Sequence, residues 1–134
     1  VDDYQAIALP ATQRAIEVFR AKAERRVPLI HYAKGSGHLH GLIRSLDIDA
    51  ISLDWRDDLR ANREAHGDQL AFQGNLDPSR MHGSPEAATL AARRVLDEAG
   101  SAPGHVFNLG HGFAPGAQID CVEAVLRLIA GDSA

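Results

Sequence analysis

One cysteine, Cys121, is all the thiol chemistry available in 134 residues, which excludes an internal disulfide and any cysteine-rich zinc site. Excess positive charge is missing as well. Lys and Arg number 14 against 18 Asp and Glu, a formal net charge of −4. That balance removes the basic face a general nucleic-acid binder needs and the polybasic patch that docks on anionic lipid. No apolar run approaches the roughly 20 residues that cross a bilayer. Nor does the start show the basic-then-apolar order of a secretory signal. Also absent are a phosphate loop ending in Gly-Lys-Ser/Thr and a Gly-x-Ser-x-Gly nucleophile turn. These absences leave a reduced, cytoplasmic, single-domain protein as the expectation.

The material that is present suits a packed domain. Hydrophobic residues make up 45% and charged residues 24%, a mix that argues for a core over disorder. Val1 to Arg26 reads as a helix, because Ile7, Leu9, Ala15, Ile16 and Phe19 recur near the helical period. Pro10 predicts a kink or break within it, with the main helix starting near the proline. Val27 to Ala33 reads as a buried strand, closed by Lys34-Gly35-Ser36-Gly37 and followed by a helix from about His38 to Leu46. The unit then recurs: strand Ala50–Trp55 with helix Asp57–His66, and strand Leu70–Gly74 with turn residues Asn75 to Pro78. Ser84-Pro85-Glu86 opens the next helix with a cap residue and a proline at its first position, and Gly100 stops it. His105–Leu109 is the fourth strand, and a last helix runs from about Asp120 to Ile129. Short apolar strands alternating with helices predict a parallel α/β sheet with crossover helices. A closed eight-unit barrel takes roughly 200 residues or more, so four units read as half a (β/α)₈ barrel or a small open sheet.

Ligands of parallel α/β folds gather where strands end. That rule nominates Lys34, Asp54, Asn75, Asp77 and His111, each at or just beyond a strand end and often beside glycine. Each has a plainer reading to set beside it. Lys34 can pair with a neighbouring carboxylate, and Asp54 can cap a loop through a backbone N–H. Asn75 and Asp77 before Pro78 suit an Asx-type turn. His111, flanked by Gly110 and Gly112, has no apolar face to fill and no helix to cap, so a site role fits it best. His31 is mid-strand and points into the core or the barrel interior. His38, His40, His66, His82 and His105 read as solvated. The pair His38 and His40 lacks a third ligand, so no metal is expected. Gly35-Ser36-Gly37 offers only a weak anion cradle at the following helix N-terminus.

Taken in order, these segments resemble the uroporphyrinogen decarboxylase family. Gln73-Gly74-Asn75-Leu76-Asp77-Pro78, followed by Phe107-Asn108-Leu109-Gly110-His111-Gly112, carries most of the likeness. Val27-Pro28-Leu29-Ile30, Ala33-Lys34-Gly35 and Leu53-Asp54-Trp55 match in position and spacing, and Ala8-Leu9-Pro10 looks like the family's preceding helix. The likeness runs from Val1 to about Ile129. It implies the C-terminal half of a (β/α)₈ barrel, residues 1–134 being one partial domain, in a cytoplasmic homodimer that needs no metal or organic cofactor. The implied reaction removes four acetate carboxyl groups of uroporphyrinogen III as carbon dioxide, giving coproporphyrinogen III in haem biosynthesis. His111 matches the family's substrate-contacting histidine; Lys34, Asp54, Asn75 and Asp77 match pocket-lining or loop-shaping positions. The family's arginine-rich start, pyrrole-binding aspartate, pocket tyrosine and upstream serine have no counterpart here, so this chain alone is expected to be inactive.

Two alternatives stand beside this reading. Corrinoid and coenzyme M methyltransferases are similar to the family and typically carry a zinc-binding His-x-Cys where this chain has His31-Tyr32-Ala33. Alanine in place of the thiolate weighs against them. The other alternative is a non-enzymatic half-barrel binding an acidic small molecule or a partner. Sequence upstream of Val1 separates that from a longer enzyme: an arginine-rich start supports the enzyme, and a start codon near Val1 sinks it.

Overall fold

The computed structural model describes residues 1–67 and 69–131. The last three residues of the expected 1–134 unit therefore lie outside the described residues. Four short strands, β1 (Ile30–Tyr32), β2 (Ala50–Ser52), β3 (Ala71–Gln73) and β4 (His105–Val106), form one parallel sheet in sequence order. Each pair is linked through helical structure, as the alternating pattern predicts. These are the four parallel units expected of half an eight-unit barrel. The paired segments are shorter than expected. β4 pairs over two residues, and contact with the third-strand segment resumes only at the isolated bridge between Leu76 and Leu109.

The first helix is continuous across Pro10. Residues Tyr4–Ala8 are wound as a π-helix, and α1 (Leu9–Lys22) follows directly with the proline in its first turn. Proline has no N–H for the carbonyl four residues back. Here the preceding turn bonds one residue wider, with the Leu9 N–H donating to the Tyr4 carbonyl, so a change of register replaces the expected break. The helix ends at Lys22, because Ala23 is extended. Arg20 pins α1 to the loop before β2, donating to the Asp47 carboxylate at 2.9 Å and to Asp49 at 3.0 Å.

The expected helix after β1 is also broken up. A 3₁₀ turn (Gly37–Leu39) leads into a single α-turn, α2 (His40–Ile43). Gly41 weakens the helix, and the Ser45 hydroxyl donates to the Leu42 carbonyl at its end. α3 (Leu59–His66) starts where the Asp58 side chain accepts the Ala61 N–H, and α4 (Pro85–Ala99) where Ser84 accepts that of Ala87. Gly100, at φ 68°, lets the chain leave α4. α5 (Ile119–Ala130) closes on left-handed Gly131. Between β3 and α4 the sequence reading has only a turn, but Pro78–His82 is a 3₁₀ helix capped by Asp77.

The two faces of the sheet differ. In the register, His31, Ile51, Phe72 and His105 share one row, and Tyr32, Ser52, Gln73 and Val106 share the other. The first row faces the helices. Ile51, Leu53 and Phe72 are buried there with Ala88, Ala92, Val95 and Ala99, which recur every three or four residues along α4. Each fully buried large side chain contributes about 1.5–3 kcal/mol of burial free energy. The second row is the concave, barrel-interior face, and it leaves Ile30, Tyr32 and Val106 exposed. Among the described residues no helix is long and apolar enough to cross a membrane.

Candidate active site

The strand ends converge on one buried carboxylate. Asp54 is 1% exposed, just past β2. Its oxygens accept the Arg56 Nε and Nη2 protons, both at 2.7 Å, and the backbone N–H groups of Gly35 and Arg56, both at 3.1 Å. The Arg56 guanidinium is the main reason its pKa is held down to about 2, against the opposing effect of burial. Asn75 lies beneath, 6% exposed, donating to the backbone carbonyls of Asp54 at 2.9 Å and Asp57 at 2.7 Å. One carboxylate and one amide thus tie the loops after β1, β2 and β3 together. Asp54 makes the backbone N–H contacts that its plainer reading allowed, whereas Asn75 makes no Asx turn and instead reaches across to the second loop.

His40, expected to be solvated, is buried in the same region. Its Nδ1 donates to the Asn62 Oδ1 at 2.7 Å, and its Nε2 lies 3.8 Å from Asp57. A histidine two residues into a short helical segment gave no sequence sign of facing inward. His105 is likewise engaged, its Nε2–H donating to the Gly74 carbonyl at 2.6 Å. His31 sits in the helix-facing row, not the barrel interior; burial, then the neighbouring His40, lowers its pKa.

His111 stands at the mouth on the fourth loop, exposed, with its ring edge-on to Tyr32 (centroids 6.2 Å apart) and to Trp55 (5.8 Å). Its Nδ1 accepts the Gly112 N–H at 2.7 Å, so the neutral ring carries its proton at Nε2. The loop that presents it is pressed onto the second loop. A Cβ at Gly110 would overlap the backbone nitrogen and Cα of Trp55, while the Gly110 N–H donates to the Leu76 carbonyl at 2.8 Å. Glycine is required there by space.

Two cations frame Trp55: the Arg56 guanidinium lies 4.7 Å from the ring centre and the Lys34 ammonium 5.5 Å. Lys34 forms no ion pair with any described carboxylate, so the expected structural pairing is not what holds it. Asp77 accepts the Ser79 N–H at 2.9 Å, the Asx turn foreseen, yet it also lines a mouth cavity of about 470 Å³ with Lys34, Trp55, His82 and His111. A second cavity of about 300 Å³ joins it at His111 and reaches Tyr32, Ser52, Gln73 and Asn108 on the concave face. Sequence reasoning nominated none of these last four, nor Arg56. The available signal was the polar residue on the concave side of each apolar strand, as in Ile51-Ser52-Leu53 and Phe72-Gln73-Gly74.

Parallel units with polar groups from all four loops at their C-terminal ends define a β/α-barrel segment, with those groups gathered where such folds bind their ligands. The chain belongs to the uroporphyrinogen decarboxylase family. The family model "Uroporphyrinogen decarboxylase (URO-D)" matches residues 1–131. A uroporphyrinogen decarboxylase of Coxiella burnetii (strain Dugway 5J108-111) is 41% identical over 118 residues, covering 88% of this chain and 33% of the relative. One from Azoarcus sp. (strain BH72) is 44% identical over 112 residues, or 83% of this chain and 31% of the relative. One from Syntrophotalea carbinolica is 38% identical over 132 residues, covering 93% and 38%. The chain spans about a third of the length of these curated relatives.

The depressed carboxylates set an acid limit. Asp54 and Asp49 are both held at about 2, Asp49 mainly by Arg26 and the Leu29 N–H. A carboxylate depressed in the folded state contributes stability that is complete above its unfolded pKa of about 4 and lost as pH falls toward 2. The unfolding midpoint should therefore drop between pH 4 and 2, less steeply in Asp54→Asn. Asp54→Ala, which leaves the Gly35 and Arg56 N–H groups without their acceptor, should cost roughly 2 kcal/mol at pH 7. Thermal melts at stepped pH check both, and parallel acid limbs in parent and Asp54→Asn would remove Asp54 from this role.

Proposed function

We propose that this chain is the C-terminal part of a uroporphyrinogen decarboxylase and supplies one wall of its substrate pocket. The observation that carries the reading is His111, which lines the mouth cavity together with Lys34 while its Nδ1 accepts the Gly112 N–H. In the reaction each acetate side chain loses its carboxyl carbon as carbon dioxide. The electron pair left behind is drawn into a protonated pyrrole ring, and a proton then completes the methyl group. The protein's task is to hold carboxylates and deliver protons. An imidazole donating from Nε2 suits a carboxylate contact or a proton relay, and the Lys34 ammonium in the same cavity favours an anionic substrate.

In this reading residues 1–134 form one partial domain, and His111 is the substrate-contacting and catalytic group. Lys34 and Asp77 line the pocket; Asp54 and Asn75 fix the loops around it. The working enzyme is a cytoplasmic homodimer acting on a soluble tetrapyrrole, without nucleic acid, membrane, metal or organic cofactor. A substrate with eight carboxylates needs a larger cationic clamp than Lys34 supplies, so the rest of the pocket comes from the part of the relatives this chain does not cover.

Two measurements test the proposal. In the full-length enzyme, His111→Asn should slow conversion of uroporphyrinogen by about a hundredfold or more, the usual size of a positioned proton-transfer group. Its circular dichroism should stay unchanged, and an unaltered rate would take His111 out of the site. The purified 134-residue chain should release no carbon dioxide from uroporphyrinogen; measurable release would show that the covered third suffices.

A further inference from the structure

His111 stands on a loop with glycine on either side, and its ring is exposed. The Nδ1 bond ties that ring only to the N–H of Gly112, the next residue along. Gly112 is a poor anchor, since no described residue lies within 4 Å of the point its Cβ would occupy. An imidazole held no further than this would change rotamer as fast as any exposed side chain. A group meant to meet substrate at one nitrogen needs a firmer hold.

Two rings from other strands supply it. Trp55, just past β2, meets the imidazole at 72° with centroids 5.8 Å apart, and Tyr32, at the end of β1, meets it at 85° and 6.2 Å. Both lie in the edge-to-face range where aromatic rings attract. Trp55 is fixed in its turn, its backbone against Gly110 and its ring under the Lys34 and Arg56 cations. Tyr32 comes from farther off. β1 and β4 are the two edges of the sheet, three strand spacings apart, or about 14 Å were the sheet flat. Curvature brings Tyr32 across that span. It sits in the ladder opposite Ser52, and its hydroxyl donates to the Gly110 carbonyl at 3.3 Å. One side chain thus touches both the His111 ring and the backbone of the residue before it. Tyr32 is also 42% exposed on the concave face, so core packing does not account for it.

We propose that Tyr32 is a positioning residue for His111, closing with Trp55 an aromatic bracket that fixes the imidazole where the mouth cavity meets the inner one. His111 lines both cavities. The inference rests on His111 being the catalytic group of the proposed decarboxylase. The Tyr32 ring carries the role more than its hydroxyl, because a 3.3 Å bond at a partly exposed site contributes little.

The test is steady-state conversion of uroporphyrinogen by the full-length enzyme. Tyr32→Leu should lower kcat roughly three- to tenfold, the range an edge-to-face aromatic pair is worth, with KM within about twofold. Tyr32→Phe, which keeps the ring, should recover most of that rate. In a His111→Asn background Tyr32→Leu should have no further effect, because no imidazole is left to position. Circular dichroism should match the parent; if the leucine variant loses its fold, Tyr32→Val, better suited to a strand, carries the same comparison. An unchanged kcat in Tyr32→Leu overturns the proposal. So does an equal loss with and without His111, or a rise in KM alone, either of which makes Tyr32 a substrate contact in its own right. Failure of the underlying reading looks different: His111→Asn itself then leaves the rate unaltered, and the positioning role falls with it.

Discussion

The Asp54 carboxylate, buried and bonded on both oxygens, is the interaction on which the candidate site depends. A carboxylate removed from water is costly unless its lone pairs are answered. Here the answers come from two different loops: the Gly35 N–H after β1, and the Arg56 backbone and guanidinium after β2. Asn75 then takes the carbonyls of Asp54 and Asp57 and adds the loop after β3. The fourth loop is held differently. Gly110 lies against the Trp55 backbone and hydrogen-bonds Leu76, so its position is inherited from the loops Asp54 has already fixed. His111 is placed at the end of that chain of dependencies.

The two faces of the sheet are unequal in what they bury. The helix side is a closed apolar layer, with Leu53, Phe72, Ala88 and Ala92 fully covered. The concave side keeps Ile30, Tyr32 and Val106 open, and β1 and β4 are edge strands with unpaired backbone groups. In a closed eight-stranded barrel that face is filled by side chains from the strands opposite, and the edges disappear. The face that carries the candidate site is therefore also the face with least cover of its own. Polar Ser52, Gln73 and Asn108 lie on it among apolar neighbours, where a ligand and the opposite wall would share the contact.

Much of this was legible in the sequence because it is set by local rules. Ser84-Pro85 at the start of α4 and Gly100 at its end mark that helix through capping and left-handed backbone, and the structure follows them. Strand-end placement of Lys34, Asp54, Asn75, Asp77 and His111 follows from topology alone. What local rules do not carry is the direction of a side chain whose neighbours come from distant segments. His40 and His105 look like surface histidines until Asn62 and the Gly74 carbonyl are brought to them. Arg56 was passed over for the same reason: nothing in Trp55-Arg56-Asp57 says that the guanidinium folds back onto Asp54. At Pro10 the α-helix does start beside the proline, at Leu9, but a wider helical turn before it accommodates the missing N–H without a break.

The two glycines around His111 look equivalent on paper, a symmetric bracket around one residue. Gly110 has the Trp55 backbone where a methyl group would stand, whereas no described residue lies within 4 Å of the same point on Gly112. The motif is therefore lopsided in its tolerance. A lineage drifting at the second position meets open space, while one drifting at the first must move Trp55 and with it the platform between two cations. A scan for distant kin that weights both glycines alike will discard true members at the permissive site, and the stricter half of the signature is Leu-Gly-His.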